Sequence, residues 1–200
     1  MKAATLTVPL LAAAILAAGT ASAARYEIVP GGKNRVTFVS KATMETFDGH
    51  TDRVRGTVEF DPADLADSAR VHVEVDLASL DTGIELRNRH MRQNHLETDK
   101  YPQAIFEGGT ILEPSAKSLD PGQAVTFALA GSLTVHGVTR PVDVPVRVSR
   151  ESVDGKDELH MTTSFPLSLE DYGIDRPQFL VMKLADRQEI RLDLTAVTAP

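Results

Sequence analysis

Beyond its first two dozen residues the chain alternates apolar and polar positions with a period of two. Val71, Val73, Val75 and Leu77 alternate with His72, Glu74 and Asp76. Val142, Val144, Val146 and Val148 alternate with Asp143, Pro145, Arg147 and Ser149, and Ile190, Leu192 and Leu194 with Arg191, Asp193 and Thr195. The same pattern recurs in Val36 and Phe38, from Val54 to Phe60, from Val125 to Val135 and from Leu159 to Phe165. Successive side chains of a strand point to opposite faces, so this period predicts half-buried antiparallel strands. Turn chemistry predicts their ends at Pro30-Gly31-Gly32, Asp48-Gly49, Asp61-Pro62, Pro121-Gly122, His136-Gly137 and Asp154-Gly155. About eight strands result.

One segment departs from the period. Residues 84–96 lack alternation and carry many helix-tolerant side chains, which predicts a short helix or ordered loop across the sheet structure, ended before Tyr101-Pro102. Residues 113–122 read as a polar surface loop between two strands. Many one-sided strands joined by short connections must bury their apolar faces against one another, as a sandwich or as a closed barrel. Long strands at 124–135 and 53–60 and a lone helix favour an all-β, antiparallel barrel of about eight strands, wide enough for side chains or one slender guest. Outward positions carry Arg53, Arg55, Glu59, Glu74, Asp76, Arg147, Arg191 and Asp193, which argues against a barrel in lipid, where a midplane basic residue costs roughly 2–4 kcal/mol.

The first 23 residues lie outside this pattern. Lys2 precedes an apolar run, Leu6 to Ala18, too short to span a bilayer, and Ala21-Ser22-Ala23 has the small residues that signal peptidase cuts. We expect a signal peptide at residues 1–23, one mature domain at residues 24–200, periplasmic localisation and no membrane span after cleavage. Removing 23 of 200 residues leaves 177, enough for one sizeable core, and losing Lys2 takes the net charge from -7 to -8. That charge opposes nucleic-acid binding. With no cysteine there is neither disulfide, thiolate chemistry nor acylated anchor.

Enzyme motifs are missing: no G-x-S-x-G, H-E-x-x-H, Walker A or G-x-G-x-x-G stands in the chain. The six histidines are scattered, and His90 and His95, five apart, do not share a helix face. No catalytic residue, metal or cofactor is expected. Two clusters stand out instead. Arg87, Arg89 and Arg92 sit close together in an acidic chain, and guanidinium groups suit phosphate oxygens. They would hold an anionic head group at a barrel mouth, or else pair on a solvated loop with Glu85, Glu97 and Asp99. The inward set that includes Phe38, Phe60, Val73, Val75, Phe106, Phe127, Leu133 and Phe165 would line a tunnel, or else form a packed core. A guest is affordable energetically. Each buried methylene contributes ~0.8 kcal/mol, hence ~4 per five-carbon unit, and a few units exceed an association cost of ~4–15 kcal/mol.

Four stretches resemble the YceI-like, polyisoprenoid-binding family. Ser79-Leu80-Asp81-Thr82-Gly83 is similar to its S-L-x-T step. Arg87-Asn88-Arg89-His90-Met91 followed by Tyr101-Pro102-Gln103-Ala104-Ile105-Phe106 is similar to R-D-x-H-L and Y-P-x-x-x-F. The run from Gly131 to Val142 resembles G-x-L-T-x-x-G-V-T-[KR]-P-V, and that from Phe165 to Ile174 resembles F-x-I-x-R-x-D-[FY]-G-I. The resemblance runs over nearly the whole mature chain, from about Tyr26 to Leu194. Leu169 stands where the pattern has Arg, and Asn88 where it has Asp. The resemblance implies a lipocalin-like barrel whose lumen takes an isoprenoid or other amphiphilic lipid, often as a homodimer, in a binding protein and not an enzyme. A stress-related or redox-chain interaction protein with a filled barrel and no lipid is the alternative. Gly131 suits a bulge and Gly137 a hairpin turn, while Pro141 suits the start of a strand.

Overall fold

The computed structural model describes residues 23–41, 45–66, 69–153, 156–176, 178–179 and 182–199. Residues 1–22 of the predicted signal peptide and the Asp154-Gly155 turn lie outside them. Alternation gives β1 (Ala24–Ile28), β2 (Arg35–Lys41), β3 (Thr46–Thr51), β4 (Val54–Phe60), β5 (Arg70–Asp76), β6 (Gln103–Leu112), β7 (Ala124–Val135), β8 (Val138–Val153), β9 (Lys156–Ser168) and β12 (Arg187–Thr198). A separate two-stranded ribbon joins β10 (Gln178–Phe179) to β11 (Met182–Lys183).

β1 and β2 run one after the other along β12, with Tyr26 opposite Thr198 and Phe38 opposite Ile190. On their other side lie β4 and β3, with Tyr26 opposite Val58 and Phe38 opposite Gly49. Each pair is therefore one long stave with an interruption, and the eight staves close into an antiparallel meander barrel. The first interruption follows from Gly31 and Gly32, whose φ values of 86° and 67° suit a residue without Cβ. Asn34 holds it: its side chain donates to Val29 O at 2.7 Å and accepts from Thr195 N at 2.7 Å.

One expected turn and one expected bulge depart from the sequence expectation. Asp48-Gly49 is not a turn but the middle of β3. A Cβ on Gly49 would lie 2.3 Å from the Phe38 ring, so glycine is present there to seat that ring. Gly131 is not a bulge either. It pairs regularly with Gly108, and the register shifts on the facing strand between Gly108 and Thr110. Gly137, at φ 75°, does close the β7–β8 hairpin.

The ends of the barrel differ. At the lower end the 61–66 and 113–122 loops join, Leu65 N donating to Lys117 O and Leu119 N to Pro62 O, both at 2.8 Å. The second loop is thus no plain surface loop. Its one large apolar residue, Leu119, is fully buried with Leu65, Tyr26 and Phe60 and plugs the barrel. Tyr26 and Phe60 stack with centroids 5.8 Å apart.

Toward the upper end the wall forks. β8 pairs with β7 from Val138 to Ser149 but with β9 only from Val146 (opposite Thr163) downward. Proline has no N–H to give a ladder, and the unpaired stretches carry Pro141 and Pro145 on β8 and Pro166 on β9. Pro141 lies inside β8, which already begins at Val138. The wedge is filled by the turn after β9: Tyr172 and Ile174, each 4% exposed, pack on Leu133, Val135, Val138 and Val142. Arg140 Nε donates to Asp171 O at 3.0 Å across the fork.

Candidate functional site

The inward faces of the eight staves enclose a cavity of about 790 Å³. Its wall is aliphatic and aromatic over most of its area, from Val73, Val75 and Phe106 on one side to Phe165, Ile190 and Leu192 on the other. The Leu65–Leu119 plug closes it below. Above, it opens beneath residues 84–96, where α1 (Glu85–His90) continues into a π-helical turn, Met91–His95.

The upper segment is held by hydrogen bonds at both ends. Buried Asn88 accepts from Thr82 N at 2.9 Å and Thr82 Oγ1 at 2.7 Å, and its amide donates to Asp81 Oδ1 at 2.7 Å. Asp81 also accepts from Gly83 N at 2.8 Å, and these bonds, Gly83 first, hold its carboxyl below the usual carboxylate range. Asn88 in place of an acid therefore has a reason here, because its donor faces the carboxylate of Asp81. At the other end His95 Nδ1 lies 3.0 Å from Asp175 O, and burial pushes the imidazole pKa down. The hairpin tip residue His136 bridges Glu97 Oε2 (3.1 Å) and Tyr172 O (3.3 Å), with its ring 4.7 Å from that of Tyr101. Glu97 is held below its ordinary pKa by Lys100 and then by His136.

All eight predicted lumen residues, Phe38, Phe60, Val73, Val75, Phe106, Phe127, Leu133 and Phe165, stand on the cavity wall. The three arginines part company. Arg87 is on the rim, its guanidinium 4.1 Å above the Phe47 ring, and Phe47 meets Phe38 edge-on at 6.3 Å. Three of its five N–H groups are used: Nε to Thr82 Oγ1 (3.0 Å), Nη2 to Thr82 O (2.9 Å) and Nη1 to Glu45 (3.3 Å). Arg92 is off the wall, giving Nη2 to Leu80 O at 2.9 Å, and Arg89 is exposed and also off the wall. Sequence reasoning missed several wall residues. Ser40, Thr163 and Gln188 share the inward parity of Phe38, Phe165 and Ile190, so the period that marked the apolar set marked them too. Leu169, where the motif has arginine, adds an apolar side chain to the rim.

A closed antiparallel barrel with an apolar lumen, plugged below and covered by a helical segment above, defines the class. The chain belongs to the YceI-like domain family, whose model matches residues 26–196. A UPF0312 protein of Pseudomonas savastanoi pv. phaseolicola is 31% identical over 172 residues, covering 84% of this chain and 85% of that protein. One from Photorhabdus laumondii is 29% identical over 173 residues, with 80% and 81% covered. Among solved structures, a polyisoprenoid binding domain from Saccharophagus degradans superposes with TM-score 0.66 at 18% identity, over 90% of this chain and all of that one. BcnA of Burkholderia cenocepacia does so with TM-score 0.63 at 22% identity, over 82% and 96%. At these identities the likeness shows the fold.

Proposed function

We propose that this protein is an exported, periplasmic carrier of an isoprenoid-type or similarly slender amphiphilic lipid, a binding protein without a catalytic role. The observation that carries this reading is the apolar cavity of about 790 Å³ running down the barrel axis, within the ~300–1,000 Å³ usual for ligand sites. The chain of the lipid lies along Phe60, Val73, Val75, Phe106, Phe127, Leu133 and Phe165. Its polar end lies at the mouth, beside Phe38, Phe47 and Arg87. Arg89 and Arg92, off the wall, take no part in it. Family membership supports the reading, as does the superposition on a domain described as polyisoprenoid binding.

The N-terminal 23 residues support export, and among the described residues no helix is long and apolar enough to cross a membrane. Native mass spectrometry of the mature chain, residues 24–200, purified without detergent from a periplasmic extract, tests the assignment. A discrete added mass, released by organic solvent and identified as a polyprenyl or other long-chain lipid, is expected. An apo mass that takes up no added isoprenoid lipid points instead to an interaction protein.

A further inference from the structure

The lumen carries polar groups that the lipid chain does not explain. Among the described residues four buried side-chain atoms have no hydrogen-bond partner, and two of them, Ser40 Oγ and Thr163 Oγ1, belong to residues of the cavity wall. Ser40 is fully buried. It stands on β2 opposite Phe47 of β3, and its other neighbour is β12 near Gln188, one residue beyond the last paired position, Glu189 opposite Val39. Gln188 is itself 5% exposed, lines the cavity and gives its amide to Ala185 O at 2.7 Å. A hydroxyl left unpaired in an apolar wall is unfavourable. Thr163 differs in its surroundings. It lies where β8 and β9 part and also borders a shallow groove on the outer face, so solvent is close to it. Ser40 borders no such groove: it is a lumen-wall residue, and a rotation of its side chain is what brings the hydroxyl to a guest.

We infer that Ser40 is the hydrogen-bonding point for a neutral oxygen at the polar end of the lipid, so that the ligand class is a long-chain alcohol, ether, ester or ketone and not a phosphate. The inference rests on the lipid-carrier reading and adds the head group to it. Charge supports the neutral choice. The charged or titratable side chains of the wall are Glu45, Arg87, His90 and His95, all on the rim elements. Arg87 stays on the rim, tied to Thr82 by two hydrogen bonds and paired in charge with Glu45. A phosphate drawn down to Ser40 would enter a wall whose cations all lie on the rim, and a neutral oxygen has no such cost. Placed just below the Arg87–Phe47 rim, Ser40 receives the head while the chain runs down to the Leu65–Leu119 plug.

Four probes built on one tetraprenyl chain test this: the hydrocarbon, the primary alcohol, its methyl ether and its monophosphate, each competing for a fluorophore bound in the lumen of the delipidated mature protein. The alcohol and ether bind more tightly than the hydrocarbon. Ser40→Ala removes about three- to tenfold of that preference, the worth of one hydrogen bond, and leaves hydrocarbon affinity unchanged. In the ligand-free protein the same substitution raises the melting temperature, because it deletes an unpaired buried hydroxyl; a merely structural serine would lower it. Thr163→Val keeps the preference. Equal affinity of alcohol and hydrocarbon, a preference that survives Ser40→Ala or is lost in Thr163→Val, or tightest binding by the phosphate overturns the inference alone. Failure of all four probes overturns the carrier reading and the inference together.

Discussion

The Phe106 ring occupies the space that a side chain on Gly131 would need: a Cβ there would lie 2.7 Å from Phe106 Cζ and 2.4 Å from Glu107 O. Gly108, opposite Gly131 in the ladder, is covered by the same ring, its Cβ position 2.7 Å away. Phe106 thus folds over two facing glycines and turns a weak spot of the sheet into part of the lumen wall. Gly131→Ala forces the backbone of β6 and the ring to shift. We expect a loss of about 1–3 kcal/mol, the usual cost of overpacking, together with weaker lipid uptake. Denaturant midpoints and ligand titration on one preparation check both.

If the lumen is the binding site, filling it blocks uptake without unfolding the barrel. Ala104 is suited to this, since it faces the cavity and pairs with Val75 across β5 and β6. Ala104→Trp places an indole in open volume, so its stability cost falls below the ~1–3 kcal/mol of overpacking a filled core. Melting shows a folded protein near wild-type stability, and native mass spectrometry shows no lipid adduct. An adduct retained at wild-type level places the lipid elsewhere.

The barrel was legible because the period of two is a direct consequence of burying one face of each strand, and it held for Val71–Leu77 and Ile190–Leu194 alike. What failed was local punctuation. Asp48-Gly49 has the chemistry of a hairpin turn, but Gly49 serves the Phe38 ring, a contact between strands that neighbours in sequence do not reveal. The fork between β8 and β9 had a signal that was read only in part. Pro141, Pro145 and Pro166 each withdraw a ladder donor, and together they mark one unpaired region. Of the site, parity placed the apolar wall. Membership of the 87–92 arginines in the site was not decidable from spacing, because one turn of helix separates a rim position from a buried or exposed one.

Asn88 and Asp81 give a pH-dependent prediction. The Asn88 amide donates to the carboxylate of Asp81 at 2.7 Å. Asn88→Asp keeps the acceptor toward Thr82 but sets a second carboxylate against the first, and two close carboxylates cannot both ionise freely. The variant is less stable than the parent at pH 7. Its stability relative to the parent recovers as pH falls, because one of the pair takes up a proton more readily than Asp81 does beside Asn88. Parallel thermal melts from pH 5 to pH 8 check this, and a difference independent of pH would sink it.

The other end of the helical segment responds to acid in the opposite sense. Burial disfavours the charged imidazole of His95, so its folded pKa lies below the unfolded value of 6.5. As pH falls below about 6.5 the unfolded chain takes up the proton first, and stability that is complete above that value declines toward the folded pKa. Protonation also weakens the anchoring of the segment, because burial opposes the charge on His95 and the bond to Asp175 O offsets that only in part. Protection of the amides in residues 91–98, measured relative to their intrinsic exchange rate at each pH, therefore falls between pH 7 and pH 5, and bound lipid is released faster over the same interval. His95→Asn keeps a donor for Asp175 O without the titration and flattens both responses. If protection and release in the variant still follow pH as in the parent, His95 does not control the opening.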